Sequence, residues 1–182
     1  MARPGSSRGA DYMRGFLWGV QGEEVVMRNL NAELEKIKAR SEKGLTLAAA
    51  FILQQTEKVP PLTPVDTGNL RASRFITSAS TLHTGVMKNE GTGRFKGKNA
   101  SKMYSNHGLV TGEAKMMVAS KNTNSKKHVM LGYTANYGGF VHEMIGANFK
   151  RPGAGPKWFE AAVKRNIPKI VQIVKDNAQI KG

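Results

Sequence analysis

A single helical pattern from Glu23 to Lys58 constrains this chain more than any other feature. Val26, Leu30, Leu34, Ile37, Leu45, Ala48 and Ile52 recur at steps of three, four or their multiples, which places them on one stripe of a helix. Ser41 interrupts the stripe, and Gly44 in mid-pattern predicts a kink or break, at about 1 kcal/mol against alanine. Glu33, Glu35, Lys36, Lys38 and Arg40 make the outer face of the first half polar, whereas Leu-Thr-Leu-Ala-Ala-Ala-Phe-Ile-Leu at 45–53 is apolar nearly all round. The second half is therefore expected to be the more deeply buried. Pro60, Pro61 and Pro64 then end the helix, because proline has no amide hydrogen and clashes with the preceding turn.

Beyond this helix the residue pattern predicts an α+β fold: a long N-terminal helix and a C-terminal helix packed on a small antiparallel β-sheet. Thr-Pro-Val-Asp-Thr-Gly-Asn-Leu-Arg-Ala-Ser at 63–73 reads as a turn. Asp66 or Thr67 caps it, Gly68 permits its tightness, and Leu70 enters the core. A strand begins near Phe75 and resumes near Thr84. Residues 88–126 read as a basic, mobile loop insertion, rich in glycine and lysine. Within it Lys115–Ser120 reads as a strand, forming a hairpin with Lys127–Thr134 across a turn at 122–125. A short helix lies within Ala135–Ile145, where Tyr137, Phe140, Val141 and Met144 are expected to pack, and a last helix spans Lys157–Gln179 with Pro168 bending it. Residues 1–22 form a flexible arm with an aromatic anchor at Phe16, Leu17 and Trp18, and 23–182 a single domain.

The chemistry that these residues exclude narrows the function. The chain has no cysteine, which removes disulfides, thiolate metal sites and thiol nucleophiles. His142-Glu143 opens like a zinc-protease motif, but glycine stands at 146 where the second histidine belongs, and the four histidines lack ligand spacing. Gly91–Lys98 resembles a phosphate-binding loop, yet Thr92 and Asn99 occupy positions that need glycine and Ser or Thr. No Gly-Xaa-Ser-Xaa-Gly elbow presents a nucleophile. A non-enzymatic protein without cofactor or metal is expected. No apolar run approaches the roughly 20 residues that cross a bilayer, and the N-terminus lacks a signal-peptide pattern, so no membrane association is expected.

The formal charge of +15, from 28 Lys and Arg against 13 Asp and Glu, calls for a polyanionic neighbour. Between Gly85 and His128 stand nine Lys or Arg and two Glu, a net of +7. One reading is therefore a sequence-nonspecific nucleic-acid-binding protein. Base-stacking readers interleave aromatics with their basic residues, and here the basic stretches hold only Phe95 and Tyr104.

Three segments, in order, resemble one known family. Residues 63–73 resemble its Pro-Val-Asp-Thr-Gly turn after a long helix, Leu131–Glu143 its strand-to-helix segment, and Arg151–Val163 its entry into a closing helix. The family is the neck and tail-completion proteins of tailed bacteriophages, which join head to tail and are also described as minor tail components. Two departures stand out: residues 88–126 form an insertion, and Met-Ile-Gly comes after Glu143 in place of the family's Gly-Thr. The resemblance implies a structural virion protein, made in the host cytoplasm, that forms a homo-oligomeric ring at the head–tail junction. Six-fold symmetry suits the tail, and twelve-fold would match the portal. Its implied partners are connector or head-closure proteins and tail-terminator or tail-tube proteins, with nonspecific contact to packaged DNA. It implies no catalytic residues. Candidate subunit or partner contacts are Trp18, Asp66, Arg71, Arg74, Arg94, Lys96, Lys98, Lys102, Tyr137 and Glu143.

Overall fold

A computed structural model of the protein describes residues 23–84, 94–123 and 126–179. The expected N-terminal arm, with Trp18, lies outside them. The chain divides into two compact units, Met1–Ile37 and Lys38–Gly182. In the first, the described residues are the opening turns of helix α1 (Glu23–Lys58), which runs unbroken through Gly44. There Val26, Leu30 and Leu34 are exposed.

The second unit holds every other described element: α2 (Asn69–Ala72), β1 (Arg74–Thr77), β2 (Leu82–Thr84), α3 (Ala100–Lys121), β3 (Met130–Tyr133), α4 (Gly138–Glu143) and α5 (Trp158–Ala178). The three strands form an antiparallel sheet in the order β2-β1-β3, pairing Arg74 with Tyr133, Ile76 with Leu131 and Phe75 with Thr84. The α+β class and the two framing helices are thus as expected.

Alternation along β1 decides which helix covers which face. Ile76 and its partner Leu131 point to one side, where Ala49 and Leu53 of α1 and Phe159 of α5 pack on them. Gly44 has its role here: a Cβ would lie 3.1 Å from the Asn177 Cβ and 3.3 Å from the Val174 carbonyl of α5. The glycine lets two helices approach closely, and α1 continues through it as one helix. The second half of α1 is indeed the buried half, with Ala48, Ala49, Ile52, Leu53 and Thr56 all below 9 % exposed. Helix α5 continues past Pro168 to Ala178.

The other face of the sheet corrects two expectations. Residues 100–121 are a helix of 22 residues, neither a loop nor the strand Lys115–Ser120, and β3 pairs with β1 rather than closing a hairpin. The buried residues of α3 are His107, Thr111, Ala114 and Val118, a helical stripe at steps of four, three and four. Its members are small or polar, so the apolar periodicity that reveals most helices is absent, and Gly108 and Gly112 depress propensity further. His107 anchors α3 to the sheet. Its Nε2 lies 2.6 Å from the Thr84 hydroxyl and its Nδ1 2.7 Å from that of Thr134. Thr84 pairs with Phe75, so α3 lies opposite the face covered by α1 and α5.

Candidate interaction surface

The turn at 63–73 is held from three directions. Thr63 is fully buried, its amide donating to the Thr56 carbonyl at 2.9 Å and its hydroxyl 3.3 Å from that of Tyr133. One oxygen of Glu57, at the end of α1, accepts from Arg71 at 2.9 Å and from Arg151 at 2.8 Å. Arg151 also donates to the Thr63 and Glu57 carbonyls, both at 3.1 Å. A guanidinium has five donors in a rigid fork, and here that fork ties the end of α1, the turn and the loop before α5 together. Leu62 completes the tie by pairing with Ala154.

Gly68, with φ at 88°, takes the left-handed conformation that the turn requires and is itself the N-cap of α2. The expected side-chain cap is not formed. Thr67 Oγ1 accepts only a long 3.4 Å contact from the Asn69 amide, and Asp66 pairs with Lys150 at 2.5 Å on the exposed surface. Asn69 carries the more consequential bonds. Its Nδ2 donates to the Lys96 carbonyl at 2.9 Å, and its Oδ1 accepts from the Lys96 amide at 2.7 Å. A side-chain amide thus completes a two-bond ladder with the backbone, as a neighbouring strand would. It fastens 94–99, part of the basic segment, beside the turn. Phe95 is buried there, edge-on to Tyr104 and His107.

Between these pieces lies a cleft of about 600 Å³. One wall is the turn from Pro64 to Leu70, another is 96–99, and α4 with the loop to Lys150 supplies the third. Its apolar lining includes Leu70, Met103, Val141, Met144 and Phe149. Four of the candidate residues, Asp66, Lys96, Lys98 and Tyr137, meet at it, and Lys102 lines an adjoining cavity with Tyr137. Burial, and then the nearby Asp66 carboxylate, push the Tyr137 hydroxyl above its usual pKa, so it stays a protonated donor.

The remaining candidates lie elsewhere. Arg71 is engaged by Glu57, while Arg74 starts β1, half-buried, and Arg94 is exposed just before Phe95. Glu143 pairs with Lys157 and with His142, and those hydrogen bonds hold its carboxyl below the usual range. Phe140 corrects the expectation of a packed aromatic: it is 71 % exposed, and Met144, also expected to pack, is exposed as well. Tyr133 packs edge-on to Trp158 and Phe159. Sequence reasoning misses Glu57, Asn69, Arg151 and His107 as organising residues; only Asn69 and Arg151 carry a signal, each lying inside a motif segment.

Among the described residues no three His, Asp or Glu side chains come close enough to hold a metal ion. Nor is any helix among them long and apolar enough to cross a membrane. Both ring nitrogens of His107 face threonine hydroxyls, those of Thr84 and Thr134. Fold and surface together define an α+β protein with a small three-stranded antiparallel sheet between helices. Comparison with protein-family models, with curated proteins and with solved structures finds no match to this chain.

Proposed function

We propose that this protein is a non-enzymatic structural component of a tailed-phage virion, forming a ring at the junction of head and tail. One observation carries the reading: the three segments that resemble the neck and tail-completion family, far apart in sequence, pack into one unit. Leu70 from the first, Ala135 from the second and Trp158 from the third share a core cluster. Gly138 of the second lies so close to Leu70 that a Cβ would sit 3.2 Å from its Cδ1. Arg151 of the third reaches the Thr63 carbonyl of the first.

A joining protein needs surfaces that are left open in the isolated chain. Phe140, Ile145, Met116 and Leu109 are each more than 60 % exposed, apolar side chains that a protein partner would cover. The positive charge suits a position near packaged DNA. The test is genetic and structural. Phage lacking the protein are expected to accumulate filled heads and free tails, and labelled protein is expected to appear at the joint in electron micrographs. Normally joined virions without the polypeptide would overturn the reading. Tight DNA binding by the isolated monomer at physiological salt, measured in a salt series, would favour the nucleic-acid-binding alternative.

A further inference from the structure

The long helices of this basic chain are not alike in charge. Residues 23–37 of α1 carry Glu23, Glu24, Glu33 and Glu35 against Arg28 and Lys36, a net of −2. The rest of α1, α3 and α5 each carry a net of +2. The acidic stretch is also the one whose apolar stripe stays open among the described residues: Val26 is 60 % exposed, Leu30 52 % and Leu34 44 %. Water-facing residues at i, i+4 and i+8 make a ridge fit for a groove.

A surface of opposite character exists on the same chain. The cleft between the 64–70 turn and α4 has an apolar floor, and the exposed side chains of Lys96, Lys98 and Lys102 stand on its side formed by residues 96–102. Asp66 is the acid in its lining, and it is already matched by Lys150. Helix α4, which lends Val141 to the cleft, also carries the exposed Phe140, and the exposed Ile145 follows it.

From this complementarity we propose that the acidic first half of α1 in one copy docks on the basic-rimmed cleft and α4 of a second copy. The two surfaces differ, so the contact is head-to-tail, the kind that repeats around a ring when the rotation closes. The proposal rests on the ring reading and names the surface that would build it.

The absence of cysteine makes the test clean. Full-length Leu30→Cys and Phe140→Cys proteins, mixed under mild oxidation, are expected to give the mixed disulfide well above either homodimer. Glu24→Lys with Glu33→Lys in one protein, and Lys96→Glu with Lys98→Glu in another, are each expected to lower self-association at least about 10-fold. Mixing these two is expected to restore it, as the reversed charges again match across both contacts. Glu24, Lys96 and Lys98 are exposed and Glu33 is partly so, so melting temperatures are expected to change little. A dominant Leu30→Cys homodimer, no mixed disulfide, or charge reversals without effect would each overturn the proposal. Rings seen without the mixed disulfide would discard this surface and keep the ring. A mixed disulfide in a protein dispensable for joining would do the reverse.

Discussion

At the scale of single residues, burial separates side chains that look equivalent on paper. Arg71 and Arg151 grip the same Glu57 oxygen, but Arg71 is 44 % exposed and Arg151 22 %, with two further carbonyls to satisfy. Arg151→Ala is therefore expected to cost about 1.5–3 kcal/mol of folding free energy, as charged hydrogen bonds do when stripped of a partner. Solvent screening keeps Arg71→Ala below about 1 kcal/mol. Urea titration of the two variants checks the order, and equal losses would refute it. His107 sets a pH limit. Burial lowers its pKa from the ordinary 6.5, so the unfolded chain takes up the proton before the folded one does. Stability is intact above pH 6.5 and falls as the pH drops through the lowered folded value. Melting temperatures recorded from pH 8 to 5 should show that decline, and His107→Gln should flatten it.

Elements differ in what their glycines do. Gly44 sits where α1 and α5 nearly touch, so Gly44→Leu is expected to force the helices apart and cost about 1–3 kcal/mol. Gly112 on α3 faces open space, with nothing within 4 Å of a would-be Cβ. There Gly112→Ala is expected to stabilise by about 0.5–1 kcal/mol through helix propensity alone. Thermal melts of both variants test the contrast. Gly44 and the glycine-bearing α3 also show where periodicity misleads. Gly44 suggests a break because propensity ignores a packing partner more than a hundred residues away. The helix at 100–121 escapes a sequence reading because its buried stripe is His, Thr, Ala and Val rather than Leu and Ile.

For the whole molecule, charge is arranged rather than merely abundant. The acid excess of residues 23–37 within a chain of +15 means that the proposed self-association should weaken as salt screens it. The screening length falls from about 10 Å at 0.1 M to about 3 Å at 1 M. Light scattering across that range is expected to show a shift toward monomer, and association that strengthens with salt would point to an apolar contact instead. Any DNA contact is expected to fall with salt as well, so the two are separated by repeating the series without nucleic acid.

Local patterns in the chain were sufficient for the long helix, its termination before the prolines, the closing helix, the Gly68 turn and the α+β class, since each depends on neighbours within a few residues. The candidate residues at the cleft were legible as types but not as a place. Asp66, Lys96, Lys98 and Tyr137 come together only because Asn69 captures the Lys96 backbone and Arg151 bridges α1 to the loop before α5. Those bonds span 27 and 94 residues. No periodicity records a partner at such a distance, because hydrogen bonds across the fold are chosen by which surfaces the packed core brings within reach.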